Sequence, residues 1–246
     1  LDYYLDNWYG FYDDHQIGFS DTNIRRGYFG NAGRYMHARY TPDGIRIDKE
    51  RVWDDDIDYH HKYIVDTSGK LPHILLVLDT GDDNNIIQSF VYANDQVLMQ
   101  RDGSMYNAGT RRYFYLHDRL GSVRMVIDPN AAVQNHYSFD PWGNIFDNEI
   151  EENVSNPYRF AGYFWDDETG LAYCNARIYD PVIGRFTSRD PVCGLFNEPF
   201  TLHAYLYCPN NPINMTDHLC LLPSSVLTIL LTVSRYLSIT NHQNHA

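Results

Sequence analysis

The sequence predicts an all-β protein on three observations. Aromatic residues make up 15% of the chain, with 21 Tyr, 12 Phe and 4 Trp among 246 residues, a bias toward side chains that favour a pleated, half-buried surface. Short apolar runs alternate with Gly-, Pro-, Asn- and Asp-rich turn text, and before residue 160 apolar residues nowhere recur at helical spacing over three turns. A Tyr-x-x-Asp unit followed by Gly returns along the chain, and a returning unit of this kind predicts a wound or stacked β architecture. Hydrophobic residues at 43% and charged residues at 21% are enough for a packed core and exclude disorder, collagen and coiled coil.

The elements run in order along the chain. Residues 33–40 read as a strand running into Thr41-Pro42-Asp43-Gly44, where Pro sets φ and Gly accepts a positive φ. Residues 63–66 run into Thr67-Ser68-Gly69, and residues 72–78 are apolar enough for a buried strand that ends in the polar stretch 79–85. Residues 86–99 are interrupted at Ala93-Asn94-Asp95, a hairpin signal. The returning unit is Tyr40-x-x-Asp43-Gly44, Tyr63-x-x-Asp66-x-x-Gly69, Tyr115-x-x-Asp118-x-x-Gly121 and Tyr137-x-x-Asp140-x-x-Gly143. Its physical sense is a strand whose Tyr packs on its neighbours, an Asp that accepts turn amides and a Gly that lets the chain reverse.

Nineteen Lys and Arg against 32 Asp and Glu leave a net charge of −13, a field that repels phosphate and disfavours nucleic acid or an anionic membrane as partner. The cysteines at 174, 193, 208 and 220 contain no close C-x-x-C pair, so they are expected to be free thiols rather than a disulfide scaffold or zinc site. The chain starts at Leu1, with Asp2 and Asp6 where a signal peptide carries positive charge. No targeting segment is visible, and a fragment with an unpaired N-terminal strand edge that needs an upstream chain is expected.

The most specific text lies in residues 113–217. Tyr115-Leu116-His117-Asp118-Arg119-Leu120-Gly121-Ser122-Val123-Arg124 is followed by Tyr137-Ser138-Phe139-Asp140-Pro141-Trp142-Gly143-Asn144 and Asn156-Pro157-Tyr158-Arg159-Phe160-Ala161-Gly162. Then come Asp167-Glu168-Thr169-Gly170-Leu171-Ala172-Tyr173, Ala176-Arg177-Ile178-Tyr179-Asp180-Pro181 with Gly184-Arg185-Phe186, Ser188-Arg189-Asp190-Pro191, and Tyr205-x-Tyr207 before Asn210-Asn211-Pro212. Motifs and order together resemble the Rhs repeat-associated core domain, with residues 1–112 resembling the YD-repeat strands that precede it. The resemblance extends to bacterial Rhs proteins, the C components of insecticidal Tc toxins and the animal teneurins. It implies a β-sheet spiral that winds into a hollow shell: YD-repeat strands over 1–112, a core domain over 113–221 closing one end, and a variable C-terminal tail over 222–246.

In polymorphic toxins of this kind the shell encapsulates the segment after the core. In some members the core is an aspartyl autoprotease that cuts after a motif similar to Asp-Pro-x-Gly-Leu, using two aspartates and an arginine. By order and local motif these fall on Arg177, Asp190 and Asp217, with the scissile bond between Leu221 and Leu222. Such chemistry needs two carboxylates close together, one protonated and one ionised to activate water, with the arginine holding or polarising one of them. The sequence departs from the pattern at His218, where the family has Pro, and at Cys220, where it has Gly. Both backbone-shaping positions are lost, so impaired cleavage is expected. From the residues alone, Asp190-Pro191 also reads as a turn like Asp128-Pro129, Asp140-Pro141 and Asp180-Pro181, and Arg177 as an ordinary ion pair.

Residues 222–246 contain no Asp or Glu, and residues 219–234 are an uncharged, Leu-rich run. Pro223 and Arg235 bracket only residues 224–234, short of the ~20 apolar residues of a membrane span. A buried peptide, or an interfacial helix using Val226, Ile229, Leu230, Val233 and Leu237, is expected in place of an anchor. No catalytic pattern appears in the tail, which reads as degenerate or truncated cargo.

Two further clusters are set aside. His60-His61 beside Asp54, Asp55, Asp56 and Asp58 would need both imidazoles on one face, whereas neighbours on a strand point to opposite faces. Asp79, Asp82, Asp83 and Asn84 offer oxygen ligands but lack the ordered spacing and closing Glu of a calcium loop. No metal or cofactor is assigned, since no nucleotide, zinc-protease or nucleophile-elbow fingerprint occurs. The resemblance implies that the sequence is the C-terminal part of a shell that encapsulates and delivers the segment C-terminal to its core. An active autoprotease cutting after Leu221 is a second reading, and a teneurin-like surface interaction module displaying Tyr, Trp8, Trp53 or Trp142 a third. The expected partners are the upstream shell and the chain's own C-terminal segment. The resemblance adds a secretion apparatus or a cell-surface receptor, and a secreted or cell-surface location.

Overall fold

The computed structural model describes residues 25–31, 34–41, 44–53, 56–81, 84–103, 111–146, 150–190 and 199–217. Eleven strands form one antiparallel sheet in strict sequence order: β1 (Arg25–Asn31), β2 (Arg34–Tyr40), β3 (Arg46–Trp53), β4 (Asp56–Asp66), β5 (His73–Asp79), β6 (Asn85–Ala93), β7 (Gln96–Asp102), β8 (Arg111–His117), β9 (Val123–Ile127), β10 (Val133–His136) and β11 (Glu151–Glu152). A second antiparallel meander holds β12 (Phe164–Asp166), β13 (Leu171–Cys174), β14 (Arg177–Asp180) and β15 (Arg185–Phe186). Among the described residues helical structure is confined to 3-10 turns such as Phe160–Gly162 and Cys208–Asn210, and no helix is long and apolar enough to cross a membrane.

The predicted elements map closely onto these strands. The break at Ala93-Asn94-Asp95 is a two-residue hairpin in which Ala93 pairs with Gln96 and both Asn94 (φ 52°) and Asp95 (φ 62°) are left-handed, the turn whose twist matches that of the strands. Most neighbouring strand pairs of the large sheet carry a register shift, for example between Ile64 and Val65, Val77 and Leu78, and Val91 and Tyr92. Each extra residue bends its strand and raises the local twist. Repeated from strand to strand, this curls the sheet, as a spiral requires.

The Tyr-x-x-Asp units carry the packing. Tyr63, Tyr115 and Tyr137 are buried and Tyr40 packs beside them, all in the core cluster between the large sheet and the second meander. They meet Phe164, Tyr158, Phe139 and Tyr173 in edge-on, stacked or tilted contacts. The Asp then caps its turn: Asp118 Oδ1 accepts from the amides of Leu120 and Ser122, and Asp140 Oδ1 from those of Trp142 and Asn144. The described tyrosines and Trp142 thus mostly turn inward, although Tyr205 is exposed. The display expected of a surface module is not what these residues do. Trp8 lies outside the described residues.

Gly143 tests how tightly the turn is locked. It sits at φ +94° and a Cβ there would lie 2.5 Å from the Phe160 ring. Gly143→Ala is expected to cost about 3 kcal/mol from the left-handed backbone and overpacking together, read from urea unfolding. A cost under about 0.5 kcal/mol would mean that the Phe160 motif does not pack under this turn.

One expectation is corrected. The cysteines were expected to be free, yet Cys174 is disulfide-bonded, with a partner outside the described residues, while Cys208 is a buried free thiol. Sequence spacing misses the bond because a disulfide needs proximity in space and not in sequence. The tail 222–246 and its proposed helix lie outside the described residues.

Candidate functional site

Arg177 opens β14 directly after the hairpin that joins it to β13, a reversal allowed by Asn175 at φ +60°. Its guanidinium lies over the Phe186 ring of β15, 3.5 Å from the centroid, and Nη1 donates to the Ala204 carbonyl at 3.2 Å. The same carbonyl receives the backbone amide of Asp190 at 2.8 Å. Arginine and aspartate are thus held by one anchor on the segment that returns past β15.

Three residues far apart in sequence meet here. Arg177 Nη2 stands 3.0 Å from Asp190 Oδ2 and 3.5 Å from Asp217 Oδ2, and the three side chains are 1%, 7% and 4% exposed. Burial pulls the Arg177 pKa down, and the two aspartates oppose that shift. Two carboxylates thus share one guanidinium.

The Asp-Pro sites now separate by partner. Asp128, Asp140 and Asp180 each present Oδ1 to amides of the following turn. The Asp190 carboxylate pairs with Arg177, and its own backbone amide bonds across to Ala204. The turn reading therefore describes three of these sites and leaves out the ion pair of the fourth. The scissile pair Leu221 and Leu222, with His218 and Cys220, lies outside the described residues.

Sequence reasoning missed the floor of the site. Tyr163 donates its hydroxyl to the Asp217 carbonyl at 2.9 Å and meets the Tyr207 hydroxyl at 3.1 Å. It thereby fixes the backbone at the last described residue. Burial raises both phenols well above their ordinary values, so they act as neutral hydrogen-bonding groups. Cys208 lies against them, its thiol pushed up to about 12, by burial first, with the Asp217 charge adding and a Tyr207 hydrogen bond opposing. A thiol in that state is no nucleophile at neutral pH. The available signal was Tyr205-x-Tyr207 beside Cys208, whose contact with Tyr163 spans 44 residues.

The set-aside clusters divide as strand geometry requires. His61 faces inward, stacked on Tyr59 with centroids 4.1 Å apart, and burial lowers its pKa to about 4. His60 points to the other face, toward Asp48 and Glu50. Asp54 and Asp55, like Asp82 and Asp83 of the calcium-like stretch, lie outside the described residues. Asp79 caps its own turn through the Gly81 amide.

The family model described as Teneurin YD-shell matches residues 82–213, more than half of the chain. Among curated proteins, the tRNA3(Ser)-specific nuclease WapA of Bacillus spizizenii is 34% identical over 143 residues, covering 58% of this chain and 6% of that protein. Double-stranded DNA deaminase toxin A of Burkholderia cenocepacia is 34% identical over 110 residues, covering 43% of this chain and 7% of its own length. In fold, the chain is similar to the TcdB2-TccC3-Cdc42 crystal structure, with TM-score 0.57 and 18% identity over 84% of this chain and 10% of that one. The Photorhabdus luminescens Tc holotoxin pore has a TM-score of 0.56 and 15% identity, covering 88% and 10%. The chain thus spans a tenth or less of the length of these relatives.

Proposed function

The chain belongs to the Teneurin YD-shell family, and from that premise we propose that it is the C-terminal part of a shell that encloses and delivers the segment C-terminal to its core. In this reading residues 1–112 supply wall strands, residues 113–221 close one end, and residues 222–246 are a short cargo. The observation that carries it is the eleven-stranded meander wrapped against the second meander through one continuous core. A wall that buries its Tyr-x-x-Asp face on its own closing domain holds that domain in place. The toxins among the relatives support delivery as the task, and their names are those of a tRNA nuclease and a DNA deaminase. The partners are then the upstream wall and the chain's own C-terminus, together with an export or receptor system.

A second reading is favoured by one specific observation, the buried cluster of Arg177, Asp190 and Asp217, the last of which ends the described chain. In an aspartyl autoprotease one carboxylate would take a proton from water as the oxygen attacks the Leu221 carbonyl. The other would donate its proton as the C–N bond breaks, leaving a carboxyl on Leu221 and an amine on Leu222. Arg177 would hold both acids in reach of the bond.

One experiment tests both readings. The full-length protein is treated with protease in its native state, and its mass is then measured under denaturing conditions, beside an Asp190→Asn variant. Encapsulation expects the segment after Leu221 to survive protease; its digestion at the same rate before and after unfolding would sink the shell reading. Self-cleavage expects that segment to be detached in the wild type and joined in the variant. An uncut chain in both leaves the shell without a protease.

A further inference from the structure

We propose that His37, Asp48, Glu50 and His60 form a binding site for one divalent transition-metal ion of the zinc class, on the face of the large sheet turned away from the core. The site comes from strand register. His37 of β2 pairs with Glu50 of β3, and Glu50 pairs with His60 of β4, so the three form one row across three strands. Asp48 stands two residues along β3 on the same face. His60 Nε2 lies 2.5 Å from Asp48 Oδ2 and 3.5 Å from Glu50 Oε1, and His37 Nδ1 lies 3.1 Å from Glu50 Oε2. The donor atoms of Asp48, Glu50 and His60 all fall within 4.8 Å of one another. An ion bound tetrahedrally at ~2.0–2.1 Å holds its ligands ~3.3 Å apart, so small side-chain shifts bring these three donors onto it, and His37, outside that group but already on Glu50, supplies the fourth by turning its ring toward the ion.

The donor set selects the ion. Two imidazole nitrogens and two carboxylate oxygens suit zinc, cobalt or nickel, whereas calcium and magnesium take all-oxygen shells. Asp48 is buried, while His37, Glu50 and His60 keep partial exposure, which leaves an entry path. The cations that face the cluster are Arg39, bonded to Asp48 and 3.4 Å from His60 Nε2, and Lys62, opposite Asp48 in register. Arg39 is the competitor: its side chain is 32% exposed, free enough to swing into solvent when a metal takes its place on Asp48. A bound ion ties β2, β3 and β4 together, a staple for this part of the sheet that does not depend on the shell reading.

The test is a Co2+ titration of the purified 246-residue chain at pH 7.5, followed by displacement with Zn2+. One equivalent of Co2+ is expected to give the intense visible band of tetrahedral coordination, bleached by Zn2+. His60→Gln is expected to abolish the band and Glu50→Gln to weaken binding, with folding of each checked by circular dichroism. Arg39→Gln is expected to tighten binding, because it removes the cation that competes for Asp48, and no merely structural ion-pair role predicts that gain. Absence of a saturable band overturns the proposal, as does a band that persists in both His60→Gln and Glu50→Gln or a weakening in Arg39→Gln.

Discussion

Asp166→Ala is expected to destabilise the protein by about 3–5 kcal/mol, because it leaves two buried cations without their shared partner. Arg46 Nη1 bonds Asp166 Oδ2 at 2.7 Å with both side chains fully buried, and Lys49 Nζ reaches Asp166 Oδ1 at 3.1 Å and Glu168 Oε1 at 3.1 Å. The Arg46 guanidinium also lies among the rings of Tyr173, Phe164 and Tyr63, 4.2, 5.0 and 5.4 Å from their centroids. This cluster is the polar seam between β3 of the large sheet and β12 of the second meander. The two cations and two carboxylates neutralise each other, so the penalty appears when one member is removed. A quadruple exchange, Arg46→Met, Lys49→Met, Asp166→Leu and Glu168→Leu, is expected to recover most of the loss, since apolar replacement of a whole buried ion cluster is often neutral.

The pH dependence has a definite sign. Burial pushes the Asp166 carboxyl up, but Arg46 and Lys49 overcome it and hold the group below its ordinary value. Its contribution is therefore complete above the unfolded value of about 4 and is lost as pH falls through the folded one. Urea midpoints of the wild type should fall below about pH 4, and that part of the slope should be missing in Asp166→Ala. A cost within about 0.5 kcal/mol at pH 7 would mean that the seam does not couple the two sheets.

Arg177→Met is the second large effect, with an expected cost of about 3–5 kcal/mol at pH 7. The methionine retains contact with the Phe186 ring but removes the guanidinium that Asp190 and Asp217 share in a buried site. Acid should relieve the variant, because protonation removes the repulsion that the guanidinium had balanced. The gap to wild type should therefore narrow as pH falls toward about 4 because the variant gains stability, whereas in Asp166→Ala it narrows because the wild type loses it. A gap that is constant with pH would mean lost packing only. The same variant should also abolish any detachment of the C-terminal segment.

What could be read in advance is what local chemistry determines. The Asp118 and Asp140 caps and the Asn94-Asp95 hairpin depend on bonds between residues two to four apart, so their meaning is carried in a few consecutive letters. The trio of Arg177, Asp190 and Asp217 was legible only through resemblance to a family, since spacing alone says nothing about distances across a fold. Arg46 and Lys49 sit in a strand text of alternating charge, and Asp166 in an acidic run, so each reads as solvent-facing in isolation.

The sequence by itself determined the β class and the turns, because these rest on backbone geometry and on hydrogen bonds within a turn. Only the tertiary structure decided which charges meet. Arg46 and Asp166 are 120 residues apart, and His60 meets Asp48, 12 residues before it on another strand. A one-residue change of register would send each of these side chains to the opposite face, and the bulges that set that register arise from packing across the whole sheet.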